Sequence, residues 1–216
     1  MASESIAVID YGMGNLHSVA KAIEHVAPDA YVQITANQQD IINADRVIFP
    51  GVGAIQECMA GIRRQGLDVL LPTLVQEKPV LAICVGMQAL MNQSEENNGV
   101  DCLSILPGNV RFFGDSLQSS TQQKLKVPHM GWNEVHQTGA HSMWHEIDQD
   151  TRFYFVHSFF VQTDTPERVV GATDYGLTIV SAMAAQNLFA VQFHPEKSHD
   201  AGLQLLRNFV HWSGVE

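Results

Sequence analysis

The chain has 216 residues, enough to bury a sizeable core in one α/β domain, and its 45% apolar content places it among globular rather than disordered chains. Its net charge of −11, with the ten histidines neutral, argues against nucleic acid or an anionic lipid surface as partner, while leaving room for a local basic patch. SIAVI (5–9) then reads as a buried strand, and LHSVAKAIEHV (16–26) as a helix with Leu16, Val19, Ala20, Ile23 and Val26 at helical spacing. YVQIT (31–35) and RVIF (46–49) read as strands, the second followed by the loop PGVGA; a helical pattern runs through 55–75. PVLAIC (79–84) reads as a fourth strand, and VGMQALMNQ (85–93) as a helix that starts at once. This alternation predicts a parallel sheet covered on both faces.

The second half changes character. NVRFF, WNEVH, FYFVHSFFVQ, RVVGAT, LTIVSAMA and LFAVQF are strand-like runs split by turns, which predicts antiparallel additions to the same sheet or beside it. GDSLQSSTQQK (114–124) reads as a polar surface loop. Ser198 is placed to cap a last helix with Leu203, Leu206 and Phe209/Val210 on its inner side. No repeat or long linker divides the chain, so residues 1–216 are expected to form one α/β domain. Its sheet is expected to be open, mixed and mostly parallel, flanked by helices.

Cys58, Cys84 and Cys102 form no metal-ligand spacing, and their odd number fits a reduced compartment. MASESIAVID lacks a basic leader region, and no stretch approaches the roughly 18 apolar residues of a membrane helix. A cytoplasmic, soluble protein with neither a membrane nor a nucleic-acid partner is expected. No cofactor signature and no metal site is found.

The octapeptide LAICVGMQ (81–88) puts Cys84 between a buried strand and a helix. A strand that runs directly into a helix lifts its apex residue out of the sheet, and small neighbours such as Ala82 and Gly86 let two backbone segments pass closely. The helix N-terminus favours the reactive thiolate, and the Val85 N–H can donate to an oxyanion. From these eight residues alone, a small buried hydrophobe ending a strand is the competing reading. LFAVQFHPEKS (188–198) supplies the base a nucleophile needs. Pro195 holds His194 extended, and residues i and i+2 of an extended segment point the same way, so Glu196 can reach one imidazole nitrogen and leave the other for sulfur. The bland alternative is a surface loop with an incidental His and Glu. Two such groups at the carboxyl ends of predicted strands favour a Cys84–His194–Glu196 triad.

AICVGMQ and QFHPEKS resemble the class I glutamine amidotransferases, whose pattern is G-x-C-x-G-x-Q with H-P-E far downstream. Within that class, DYGMGNLHSV (10–19), PGVGA (50–54), PHMGWN (128–133) and FYFVHSFF (153–160) resemble the glutaminase subunits of imidazole glycerol phosphate synthases, in the right order over nearly the whole chain. Ala82 stands where the family motif has its first glycine, and Phe159 where relatives often have tyrosine. The resemblance implies a flavodoxin-like fold and hydrolysis of L-glutamine through a γ-glutamyl thioester on Cys84. It implies an oxyanion hole from the Val85 N–H and the Val52–Gly53 loop, and substrate contacts from Gln88, Glu96, Ser158, Phe159 and Tyr154. It further implies a heterodimer with a (β/α)₈-barrel cyclase that uses the ammonia to convert PRFAR into imidazole glycerol phosphate and AICAR, in histidine biosynthesis. Asn15, Met130, Trp132 and Lys197 are its interface candidates. The rival readings are a glutaminase serving anthranilate, GMP or pyridoxal phosphate synthesis, a catalytically silent binding subunit, and a cysteine peptidase or γ-glutamyl hydrolase.

Overall fold

The computed structural model describes residues 4–114, 117–118 and 122–215. In chain order the first half runs β1 (Ser5–Ile9), α1 (Leu16–Val26), β2 (Tyr31–Thr35), α2 (Gln38–Asn43), β3 (Arg46–Gly51), α3 (Ile55–Arg64), α4 (Leu67–Glu77), β4 (Val80–Cys84) and α5 (Val85–Ala89). Two short strands follow, β5 (Gln93–Ser94) and β6 (Val100–Asp101), then β7 (Gly108–Phe112), β8 (His129–Gln137), β9 (Thr151–His157) and β10 (Phe159–Thr163). The chain closes with β11 (Val169–Asp174), β12 (Thr178–Ala185), β13 (Leu188–Val191) and α6 (His199–His211).

Nine strands form one sheet in the order β2-β1-β3-β4-β13-β12-β11-β8-β9. The pairings from β2 to β13 are parallel, and those from β13 onward are antiparallel. A second sheet, β10-β7-β5-β6, lies beside it, so both predicted destinations of the late strands are used. β3, β4 and β13 are buried at every residue, as continuous apolar strands covered on both faces must be. β8 instead alternates, with His129 buried and Met130 exposed, because only one of its faces is covered.

Four expectations are corrected. The helical stretch 55–75 is two helices, since Gly66 adopts a left-handed φ of 67° between α3 and α4. The helix expected to reach residue 93 stops at Ala89, because Asn92 donates to the Gly108 carbonyl and Gln93–Ser94 pair with β7; tertiary pairing overrides local propensity there. Ser198 does not cap α6 through its side chain: its Oγ donates to the His194 carbonyl (2.6 Å) and accepts from the Tyr154 N–H (3.0 Å). On α6 the buried residues are Gly202, Leu205, Leu206, Asn208, Phe209 and Val210, so Leu206 and Phe209/Val210 are inner as expected, while Leu203 is only half-buried. Of the expected loop 114–124, residues 115–116 and 119–121 lie outside the described residues; within the rest, Gln118 pairs with Lys124.

Candidate active site

The carboxyl ends of β3, β4 and β13 meet at one sheet edge. Gly51 lies in register with Cys84, and Val191 with Ile83, so the loop after β3, the turn after β4 and the segment after β13 converge. Cys84 sits at the turn with φ 56° and ψ −112°, a backbone strain of about 1–3 kcal/mol that the packing around it sustains. Two glycines make the turn fit. A Cβ on Gly86 would lie 2.1 Å from the Phe49 carbonyl oxygen, and one on Gly51 2.7 Å from the Gly86 nitrogen. Ala82 is fully buried between its register partners Phe49 and Ala190, so its methyl is accommodated inside the sheet.

His194 follows β13, with its N–H donated to the Tyr154 carbonyl (2.9 Å). Its Nδ1 lies 2.9 Å from Glu196 Oε1, and the same oxygen accepts from Asn15 Nδ2 at 3.1 Å. The i to i+2 reach is as expected, but a 3₁₀ turn over Pro195–Lys197 delivers it rather than an extended segment: the proline's fixed φ suits a helical first turn, and the Lys197 N–H bonds back to the His194 carbonyl. Because Glu196 Oε1 can only accept, Nδ1 carries the proton and donates. Nε2, buried, has no hydrogen-bond partner among the described residues and faces the cavity that Cys84 lines. A buried ring nitrogen beside a thiol, with the other nitrogen braced by a carboxylate, is the arrangement of a base that takes the thiol's proton.

The electrostatics agree. Burial opposes charge on His194, but the neighbouring Cys84 sulfur, then the Glu196 hydrogen bond and charge, push the imidazole up to about 10. Burial likewise raises Glu196, yet the His194 hydrogen bond and charge, with Asn15, hold its carboxyl below the usual range. The loop after β3 is pinned by two donors: Tyr11 Oη to the Pro50 carbonyl (2.8 Å) and Cys58 Sγ to the Val52 carbonyl (3.4 Å). Burial raises both groups, Cys58 to about 11, so both stay protonated and able to donate at neutral pH.

The cavity holds about 570 Å³ and is lined by Val52, Gly53, Cys84, Val85, Gln88, Glu96, Ser158, Phe159 and His194, together with Gly14, Asn15, Pro128, Val156, His157 and Lys197. The catalytic, oxyanion and substrate candidates line it except Glu196, which lies behind His194 and is joined to the site through His194 Nδ1, and Tyr154. The Tyr154 ring packs instead between Trp132 (centroids 6.2 Å apart) and the Lys197 ammonium (6.0 Å), in the group of interface candidates. Asn15, an interface candidate by resemblance, has its amide bound to Glu196, which leaves α1 without a side-chain cap. Met130 and Trp132 are 62% and 37% exposed, so neither is a core residue, and Trp132 stacks flat on His199 at 4.9 Å. Glu96 Oε2 accepts from the Ile55 N–H (3.1 Å). Gln192 was not singled out from the sequence, yet it is fully buried and donates to Cys84 Sγ at 3.7 Å. A glutamine inside the apolar run LFAVQF, on the same side as His194, was the available signal. Among the described residues no cluster of His, Cys, Asp and Glu could hold a metal ion, and no helix is long and apolar enough to cross a membrane.

A cysteine on a strained strand-to-helix turn, beside a carboxylate-braced histidine at the edge of a mixed sheet, defines a cysteine-dependent amide-processing site, and residues 7–212 match the family Glutamine amidotransferase class-I, to which the chain belongs. A solved structure of PurLQS from Thermotoga maritima shares the fold, with a TM-score of 0.66 at 14% identity over 97% of this chain and 98% of that one. More narrowly, the chain belongs with the subunits named HisH. It is 57% identical to imidazole glycerol phosphate synthase subunit HisH 1 of Pseudomonas aeruginosa, covering 98% of each chain. It is 58% identical to imidazole glycerol phosphate synthase subunit HisH of Pseudomonas putida, covering 98% of this chain and 99% of the relative.

Proposed function

We propose that the chain is the glutaminase subunit of an imidazole glycerol phosphate synthase, with residues 1–216 acting as one glutamine amidotransferase domain in the cytoplasm. Cys84 Sγ attacks the side-chain carbonyl carbon of L-glutamine as His194 Nε2 takes the thiol proton. The oxyanion is held by the Val85 N–H and by an N–H of the Val52–Gly53 loop. The C–N bond then breaks, the nitrogen leaves as ammonia with the proton from His194, and a γ-glutamyl thioester remains. Water, deprotonated by His194, attacks the thioester; the C–S bond breaks, glutamate leaves and the thiol is restored. Glu196, steadied by Asn15, keeps Nδ1 protonated so that Nε2 can serve as the base.

Gln88, Glu96, Ser158 and Phe159 bind the glutamine, Glu96 receiving its α-ammonium group. Met130, Trp132, Lys197 and Tyr154 face a (β/α)₈-barrel cyclase that takes the ammonia to form imidazole glycerol phosphate and AICAR from PRFAR. The observation that carries this reading is the strained, cavity-facing Cys84 in one pocket with His194, whose other ring nitrogen is braced by Glu196. The test is glutamate release by wild type and Cys84→Ser, with and without the cyclase. Hydrolysis should vanish in Cys84→Ser while ammonia-dependent synthesis by the complex persists; loss of both activities would overturn the division of labour.

A further inference from the structure

His129 and His157 lie outside the triad, yet both are buried, 2% and 6% exposed. They sit directly opposite each other on β8 and β9, with His129 Nδ1 3.0 Å from His157 Nε2. Asn133, on the same face of β8 as His129, fixes the direction of this bond. Its Oδ1 accepts from the Glu134 N–H (2.9 Å), and its Nδ2 donates to the Asp174 carbonyl (2.9 Å), so the amide has a single orientation. Nδ2 also faces His129 Nε2 at 3.2 Å, which makes Nε2 the acceptor. A neutral His129 then carries its proton on Nδ1 and donates to His157 Nε2. His157, neutral in turn, donates from Nδ1 to the Phe159 carbonyl (2.8 Å).

That carbonyl is where the chain crosses from one sheet to the other, and it also accepts from Gln88 Nε2 at 3.0 Å. The second Gln88 hydrogen goes to Gln192 Oε1 (3.0 Å), which turns Gln192 Nε2 toward Cys84 Sγ. Both amide hydrogens of Gln88 are therefore spent, leaving its oxygen for a ligand. We propose that His129 and His157 form a one-tautomer pair that positions Gln88 and Gln192 against Cys84, so that these two histidines are positioning residues for the amide hydrolysis. The proposal rests on the glutaminase reading above.

The surroundings keep the pair neutral. His129 is stacked between Phe155 (4.7 Å) and Tyr175 (3.9 Å), and Phe113 packs on both rings. Burial pushes His129 down to about 4 and His157 to about 3, the latter helped by repulsion from His129 and His194. A proton on either ring would set two N–H groups face to face. The strand that carries His129 presents Met130 and Trp132 on its opposite, exposed face.

His157→Asn and His157→Phe, each assayed for glutamate release in complex with the cyclase, separate this role from simple packing. Asparagine keeps a donor where Nδ1 stood; phenylalanine keeps the ring and no donor. The expected result for His157→Phe is a rise in KM for glutamine of about tenfold, the worth of one buried hydrogen bond left unmade, with His157→Asn within about threefold of wild type. A KM unchanged in His157→Phe, or His157→Asn as impaired as His157→Phe, overturns the proposal. A second measurement needs no variant and no glutamine: in ¹⁵N-histidine-labelled wild type, an N–H···N coupling across the bond should join two rings protonated on Nδ1 alone, down to about pH 5.5. An Nε2-protonated tautomer, or an imidazolium in the pair at that pH, overturns it as well. Because this signal involves no turnover, failure of the glutaminase reading would show separately, as wild type that releases no glutamate.

Discussion

Replacing Glu196 by glutamine isolates the charge of the triad carboxylate from its geometry. In the wild type, Oε1 accepts two hydrogens, from His194 Nδ1 at 2.9 Å and Asn15 Nδ2 at 3.1 Å, while Oε2 is buried with no hydrogen-bond partner among the described residues. With two donors aimed at one spot, the amide oxygen of Glu196→Gln takes the Oε1 place and its NH₂ takes the empty one. The His194 tautomer is then preserved, and what disappears is the charge-assisted part of one hydrogen bond. That part is worth about 1–1.5 kcal/mol, or about tenfold in turnover. Adding Asn15→Leu removes the donor that orients the amide. The NH₂ can then turn toward Nδ1, force the proton onto Nε2 and abolish the base, a loss on the order of a thousandfold or more. Glutamate release at saturating glutamine, with the cyclase bound, reads both steps. The rate of Cys84 alkylation should fall in parallel, and it reports this thiol because burial pushes Cys58 and Cys102 up to about 11 and keeps them protonated at neutral pH. Unchanged turnover in Glu196→Gln would remove the carboxylate from the triad. A single variant already as poor as the double would show that Asn15 does not set the orientation.

Three further outcomes are expected. Gly86→Ala drives a methyl to within 2.1 Å of the Phe49 carbonyl, backbone that cannot swing aside, and should cost about 3 kcal/mol in urea unfolding; a loss under about 1 kcal/mol would show that the turn relaxes. His129 and His157 are held neutral by burial, their folded values of about 4 and about 3 lying below the unfolded 6.5. The unfolded chain therefore binds more protons in that window, so stability is present above 6.5 and falls as the solution is acidified toward 4, by up to about 1.4 kcal/mol per pH unit for each ring. A thermal-unfolding series across that range should slope accordingly, and a flat profile would contradict the burial of the pair. Trp132→Ala should weaken assembly with the cyclase by about tenfold or more while shifting isolated unfolding little, since the indole is part-exposed and stacked on exposed His199; titration of the two subunits reads it, and an unaltered affinity would remove Trp132 from the interface.

Much of this molecule is written in local pattern. Continuous apolar strands, helices at 3.6-residue spacing and the strand-cysteine-glycine turn each depend on neighbours in sequence, so α1, β1, β2 and the elbow at Cys84 could be read directly. The grouping of Cys84 with His194 and Glu196 was legible because both motifs end strands, and strand ends of a parallel sheet share an edge. The stop of α5 at Ala89 and the pairing of Gln93–Ser94 with β7 were not, because a partner 16 residues away in sequence (Gln93 to Asn109) decides them. Nor could spacing reveal that Asn15, 181 residues before Glu196, braces the triad, or that Gln192 reaches Cys84 across 108 residues. Sequence fixes which side chains a short segment offers and on which side; only the assembled sheet decides which distant offers meet, since a hydrogen bond depends on tenths of an ångström that the packing of the whole core sets.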